Sequence, residues 1–82
     1  GNRVLVRWDW LVEDLNELLH LRLPSEEADT IGGFIYSRLG RVPGVGEIVE
    51  EDGLVLTVEQ VSGRRIRKVR AQRMPADQPD GE

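Results

Sequence analysis

A basic run near the end of the sequence could bind phosphate or nucleic acid. It holds six of the 11 cationic side chains: Arg64, Arg65, Arg67, Lys68, Arg70 and Arg73. Clustered cations attract polyanions, but a single-strand binder also needs surface aromatics between them, and this run has none. We therefore interpret this basic run as the solvated face of a final strand. Its cations would then pair with acids of neighbouring strands, namely Glu47, Glu50, Glu51 and Glu59.

Two glycine-rich segments could hold an anion with their backbone N–H groups. Residues 30–33 open a predicted helix, whereas residues 43–46 precede a predicted strand. Phosphate loops follow a strand and open a helix, so we interpret the second segment as a turn. In the first, close packing is the simplest reason for paired glycines in a helix. The candidate cofactor-binding residues that these two segments leave are Thr30, Gly32, Gly33, Gly44 and Gly46.

Catalytic and metal chemistry have little support. The sequence has no Cys and one His, which excludes thiolate nucleophiles, disulfides and Cys-ligated or His-cluster metal sites. Acids cluster at 26–29 and 50–52 and could hold a hard cation weakly, but loop acids are usually only solvated. We expect His20 to cap carbonyl groups or face water at the end of a helix. The sequence thus predicts no catalytic residue, no metal site and no enzyme.

The length and composition indicate one small globular domain. The chain has 82 residues and 9.3 kDa, with 39% hydrophobic and 32% charged residues. Its net charge of −4 comes mostly from residues 74–82, which we expect to form a disordered acidic tail after a domain at 1–73. The body is nearly neutral, so the charge says little about partners and does not favour nucleic acid. No apolar run reaches the ~18 residues of a membrane span, and the start at Gly1 without a Met suggests a piece of a longer protein.

The hydrophobic pattern predicts the order β-α-α-β-β-β. Residues 3–8 alternate as a strand, and two helical stripes follow, the second with Thr30 as N-cap and Gly40 as C-terminal stop. Asp52-Gly53 and Ser62-Gly63 then predict two hairpins, and three-residue steps at 58–61 and 66–69 predict β-bulges. The predicted fold is α+β, with an antiparallel sheet and both helices on one face. Its expected core is Val4, Val6, Leu15, Leu18, Leu19, Ile31, Phe34, Ile35, Ile48, Leu56, Val58, Ile66 and Val69.

Two tryptophans flank the end of the first strand. One of Trp8 and Trp10 should lie in the core, and the other should be exposed at a surface that meets another domain.

Several segments, in this order, resemble the CorC/HlyC transporter-associated domain over roughly residues 3–73. They are Asp14-Leu15-Asn16-Glu17-Leu18-Leu19, Leu23-Pro24, Thr30-Ile31-Gly32-Gly33-Phe34, Leu39-Gly40-Arg41-Val42-Pro43, Gly46-Glu47, Arg65-Ile66 and Val69. Trp8-Asp9-Trp10 departs from the family, which more often has a glycine-containing turn there.

The resemblance implies a setting and a fold. Family members stand at the C-terminus of hemolysin-like or magnesium and cobalt efflux membrane proteins, after a membrane-spanning domain and a pair of CBS domains. The family fold also resembles one subdomain of flavoproteins of the p-cresol methylhydroxylase type, which hold FAD between two subdomains.

Three functions follow from the resemblance and the residues. The first is a non-enzymatic cytosolic accessory domain that modulates ion transport through neighbouring CBS and transmembrane domains. The second is a module that binds FAD or another adenine nucleotide. The third is a dimerisation or docking module, with a homodimer left open. We favour the first, with no cofactor, no nucleic acid and no direct membrane insertion.

Overall fold

A computed structural model describes residues 3–51 and 53–74. The elements in chain order are β1 (Arg3–Arg7), α1 (Val12–Leu19), α2 (Ile31–Leu39), β2 (Ile48–Glu51), β3 (Leu54–Ser62) and β4 (Arg65–Arg73). This confirms the predicted order. Of the predicted tail, residues 75–82 lie outside the described residues, while the N–H of Met74 donates to the Gly53 carbonyl at 2.7 Å.

The four strands form one antiparallel sheet in the order β1-β4-β3-β2. The first strand therefore pairs with the last, with Val6 opposite Val69. The two predicted hairpins are confirmed, since Glu51 lies opposite Leu54 and Ser62 opposite Arg65. Tight hairpin turns need residues with positive φ, and Gly53 and Gly63 supply them at 81° and 63°.

The predicted irregularity of β3 and β4 is confirmed near their shared hairpin. Val58 pairs with Val69, but the next pairs are Gln60 with Lys68 and Val61 with Ile66. Each strand thus carries one extra residue, which twists the hairpin. The extra residues return Ile66 to the core face, where it is buried.

Both helices pack on one face of the sheet, which confirms the α+β layout. Leu15 of α1 and Phe34 and Ile35 of α2 share one core with Val6, Leu56 and Val69 of the sheet. The side chain of Thr30 accepts a hydrogen bond from the N–H of Gly33 at 3.1 Å, and Gly40 ends α2 in the left-handed region. Both predicted caps of α2 are therefore confirmed.

Two expected core residues are wrong. Leu18 is 50% exposed and Ile48 is 53% exposed. Helix α1 begins at Val12, and the side that it turns towards the core carries Val12 and Leu15. Leu18 lies on the outer side of the same helix. In β2, Val49 faces the core, and because side chains alternate along a strand, Ile48 faces outward.

The remaining predicted core residues are buried or half-buried. Val4 and Leu19 are only partly buried against the core. The core also holds five residues outside the prediction: Val12, Leu23, Val49, Leu54 and Ala71.

A short bridge joins the starts of the two helices. Leu11 pairs with Thr30, the N–H of Val12 donates to the Asp29 carbonyl and that of Ile31 to the Trp10 carbonyl, both at 2.8 Å. These bonds fix the position of α2 relative to the turn that carries Trp8 and Trp10.

Candidate functional site

Trp8 follows β1 and is held between the sheet and α2. Its N–H donates to the Arg67 carbonyl at 3.1 Å, and its own carbonyl accepts from the N–H of Gly32 at 2.9 Å. A Cβ on Gly32 would lie 3.1 Å from the Trp8 Cβ and 3.3 Å from the Trp8 carbonyl oxygen. Gly32 therefore permits the close approach of α2 to Trp8, which agrees with the packing interpretation of this glycine.

A cleft of about 490 Å³ opens beside Trp8. Trp8, Tyr36, Arg64, Arg65 and Ile66 line it, and we call it the Trp8 groove. The Tyr36 hydroxyl donates to the Arg64 carbonyl at 2.8 Å and accepts from the N–H of Ile66 at 3.4 Å. Helix α2 is thereby tied to the tip of the β3–β4 hairpin, and this tie shapes the groove.

Trp8 also borders a second, smaller cleft on the sheet. This cleft is lined by Trp8 together with Arg7, Gln60, Arg67 and Lys68. Trp8 is 36% exposed and lines both clefts, whose other walls carry cations.

The basic run is only partly neutralised, which corrects the predicted pairing. Among the described residues, Arg70 pairs with Glu59 at 3.2 Å, and no ion pair is formed by Arg64, Arg65, Arg67 or Lys68. Two of the acids expected to pair with the run are engaged elsewhere, because Glu47 binds Arg41 and Glu51 binds Arg38.

The aromatics that the basic run lacks in sequence are supplied in space. Trp8 comes from the end of β1 and Tyr36 from α2, and both meet Arg64 and Arg65 in the groove. Trp10 instead packs half-buried against the core and Trp8 is the more exposed of the two, as expected, although neither is among the fully buried core residues. The contact of Trp8 with another domain stays a prediction. Tyr36 was not singled out from the sequence, where its helical position gives no sign of a partner on the hairpin.

The N–H groups of the glycine candidates are used within the chain. Those of Gly32 and Gly33 donate to the Trp8 carbonyl and the Thr30 hydroxyl. Those of Gly44 and Gly46 donate to the Glu47 carboxylate at 3.1 Å and the Val58 carbonyl at 2.8 Å. An anion at either segment would have to compete with these bonds.

The acidic clusters are also occupied in part. Arg38 donates to Glu27 at 3.0 and 3.1 Å and also to Glu51, while its guanidinium lies 4.8 Å from the centroid of the Phe34 ring. Within residues 3–51 and 53–74, no group of three or more His, Asp or Glu side chains could hold a metal ion.

His20 is exposed and ends α1. It adopts the left-handed conformation, with φ of 58°, and its backbone N–H donates to the Asn16 carbonyl. The backbone of His20 thus caps one of the carbonyl groups at the helix end.

One carboxylate has a strongly shifted pKa. Bidentate hydrogen bonds from Arg41, and a further one from the N–H of Gly44, lower the pKa of Glu47 to about 2. These bonds stabilise the turn between α2 and β2. The turn includes part of the segment 39–43, which is one of the segments that resemble the family.

The fold and the groove define a small α+β domain with a cleft lined by aromatic and cationic side chains. The chain belongs to the CorC_HlyC family, described as a transporter associated domain, whose model matches residues 1–75.

Two curated relatives are larger proteins. The chain is 39% identical over 67 residues to Hemolysin C of Brachyspira hyodysenteriae, covering 80% of this chain and 25% of that protein. It is 36% identical over 83 residues to the magnesium and cobalt efflux protein CorC of Escherichia coli K12, covering 94% of this chain and 28% of that protein. The chain therefore spans about a quarter of the length of these relatives.

Solved structures of similar domains share the fold. The region associated with a Mg²⁺ and Co²⁺ transporter (CorC) from Neisseria meningitidis MC58 has a TM-score of 0.83 and 36% identity, covering 90% of this chain and 91% of that one. A CorC_HlyC domain from a Xylella fastidiosa hemolysin has a TM-score of 0.80 and 29% identity, covering 89% of each chain, and was solved in complex with Mg²⁺ and Mn²⁺. In the described part of our chain, no helix is long and apolar enough to cross a membrane.

Proposed function

We propose that this chain is a non-enzymatic accessory domain of a hemolysin-like or magnesium and cobalt efflux membrane protein. It lies on the cytosolic side of the membrane and modulates ion transport through contact with neighbouring CBS and transmembrane domains. The observation that carries this proposal is the match of nearly the whole chain to only about a quarter of two such relatives.

The geometry agrees with a contact role. The groove is lined by Trp, Tyr and Arg side chains, the residue types that dominate the binding energy of protein interfaces. Its walls come from the turn after β1, from α2 and from the β3–β4 hairpin, so a partner that binds there contacts three separate parts of the fold.

The direct test removes the domain from the parent protein. Cobalt and magnesium efflux should be measured in cells or vesicles that contain the full-length protein or the version without residues 1–82. We expect the truncated protein to remain folded in the membrane, as judged by its size-exclusion elution profile after extraction in detergent. We expect its rate of cobalt and magnesium efflux to change. An unchanged rate at equal expression would contradict the proposed function.

The cytosolic position has its own test. The chain contains no Cys, so Ser37→Cys on the exposed side of α2 introduces one reporter thiol, provided that the rest of the parent has none that reacts. A membrane-impermeant maleimide should label it in permeabilised cells and in inside-out vesicles, but not in intact cells. Labelling of intact cells would place the domain on the opposite side.

A further inference from the structure

We propose that the Trp8 groove and the cations around it form the docking site for an acidic segment of the rest of the parent polypeptide. The segment inserts an apolar side chain between Trp8 and Tyr36, and its carboxylates face Arg64 and Arg65. This inference rests on the proposed function and names the surface and the chemistry of the contact.

The first argument is the combination of shape and lining. A cleft of about 490 Å³ with a Trp, a Tyr and an Ile on its walls offers a concave apolar surface with room for an inserted side chain and its neighbours. Interfaces concentrate their binding energy in such pockets, where an anchor residue is shielded from water by the surrounding contacts. A flat anionic bilayer would leave this concavity unfilled.

The second argument is charge. Arg64 and Arg65 are exposed on the hairpin, Arg67 and Lys68 line the adjoining cleft, and none of the four has an ion-pair partner in the described part of the chain. Arg7, which also lines that cleft, is paired with Asp9. A partner of opposite charge would complement this cluster, which speeds association and fixes the orientation of the bound segment.

The third argument is preorganisation. The backbone of Trp8 is bonded to Arg67 on one side and Gly32 on the other, and the Tyr36 hydroxyl is bonded to the hairpin. The walls therefore need little ordering on binding, which lowers the entropic cost of association.

The fourth argument concerns the source of the segment. The relatives are about four times as long as the alignment to this chain, which covers 25% and 28% of them. A segment of the same polypeptide acts at a high effective concentration, so modest intrinsic affinity for the groove is sufficient.

A nucleotide is a less suitable ligand for this domain. The backbone N–H groups that could hold its phosphates already donate to acceptors within the chain, namely those of Gly32, Gly33, Gly44 and Gly46.

The test compares two charge-reversed variants of the 82-residue chain. The groove variant carries Arg64→Glu and Arg65→Glu, and the matched control carries Arg3→Glu and Arg22→Glu. Arg3 and Arg22 are exposed, form no ion pair with any described residue, and lie outside the groove lining. Circular dichroism melts establish that each variant is folded, and Arg64→Glu alone, on the exposed hairpin, serves if the double variant unfolds.

Binding is measured by calorimetry against the parent polypeptide without residues 1–82, purified in detergent. We expect the groove variant to lose at least about tenfold in affinity, while the control stays within about twofold and wild-type binding weakens with added salt. Equal losses in the two variants would overturn the inference. It would also be overturned if Arg64 and Arg65 were instead needed for dimerisation, for binding to phosphatidylglycerol vesicles, or for binding of ADP.

Transport assays separate this inference from the proposed function. If removal of the domain changes efflux but the groove variant behaves as the control does, the docking site is elsewhere and the proposed function stands. If removal of the domain leaves efflux unchanged, the proposed function fails, and the calorimetric comparison alone decides whether the groove binds the parent.

Discussion

At the scale of single residues, the Arg41–Glu47 pair predicts a specific pH dependence. The folded pKa of Glu47 is lowered from 4.5 to about 2, so its contribution to stability is present above pH 4.5 and is lost as the pH falls towards 2. The melting midpoint of Glu47→Gln should lie below that of the wild type at pH 6, and the difference should shrink by pH 2. Glu17→Gln, on the exposed side of α1, is the matched control. A difference that stays constant from pH 6 to pH 2 would contradict this assignment.

Gly33 provides a second prediction at this scale. A Cβ there would lie 3.2 Å from both the Ala28 Cβ and the Thr30 hydroxyl, so the crowding comes from the loop before α2. Gly33→Leu should destabilise the domain by about 1–3 kcal/mol through overpacking, which would lower the melting midpoint visibly in a domain this small. Gly44→Leu is the control, because a Cβ at Gly44 meets nothing within 4 Å. An unchanged midpoint for Gly33→Leu would mean that Gly33 serves something other than packing.

At the scale of elements, Asn16 joins α1 to the segment that leads to α2. Its side-chain amide donates to the Leu23 carbonyl at 3.0 Å and accepts from the N–H of Leu23 at 2.9 Å. The two bonds hold Leu23 in place, with its side chain buried in the core. The sequence shows Asn16 and Leu23 only as parts of the family resemblance, and the physical reason for them lies in this pair of bonds.

Asn16→Ala should therefore destabilise the domain by about 1–3 kcal/mol, because it leaves the backbone groups of Leu23 without their partners. Asn16→Asp keeps the acceptor for the N–H but turns a carboxylate oxygen towards the Leu23 carbonyl in place of the donor, so its melting midpoint at pH 7 should also lie below that of the wild type. Equal midpoints for the three proteins in a chemical or thermal melt would show that water replaces both bonds at no cost.

At the scale of the whole molecule, we expect the isolated domain to bind FAD weakly or not at all. The likeness to a flavoprotein subdomain that the family resemblance implies would supply only half of a two-part site, and cofactor sites usually bury ~70–90% of their ligand. The N–H groups of the glycine candidates are also bonded within the chain. Titration followed by flavin fluorescence and calorimetry tests this, with riboflavin as the control for stacking on Trp8. Micromolar or tighter binding of FAD would favour a ligand sensor over a contact domain.

Much of the architecture was determined by local sequence. Thr30 and Gly40 mark the ends of α2, the glycines at 53 and 63 mark the two hairpins, and the three-residue steps in β3 and β4 mark their extra residues. Each of these signals acts through its own backbone conformation or its nearest neighbours, so the sequence alone contains it. Ile48 and Leu18 were misplaced because the phase of a short strand or helix depends on what it packs against, and neither element is long enough to reveal that phase.

The Trp8 groove was decided only by the tertiary structure. Trp8, Tyr36 and the Arg64–Ile66 hairpin are distant in sequence, and they meet because β1 pairs with β4 and α2 packs close to Trp8 through Gly32. The ion pair between Arg38 and Glu51 also depends on the tertiary structure, because it joins α2 to β2 and leaves Glu51 paired with a cation outside the basic run. Sequence spacing records only neighbours along the chain, whereas the groove, and the cations around it that have no ion-pair partner within residues 3–51 and 53–74, arise from long-range packing.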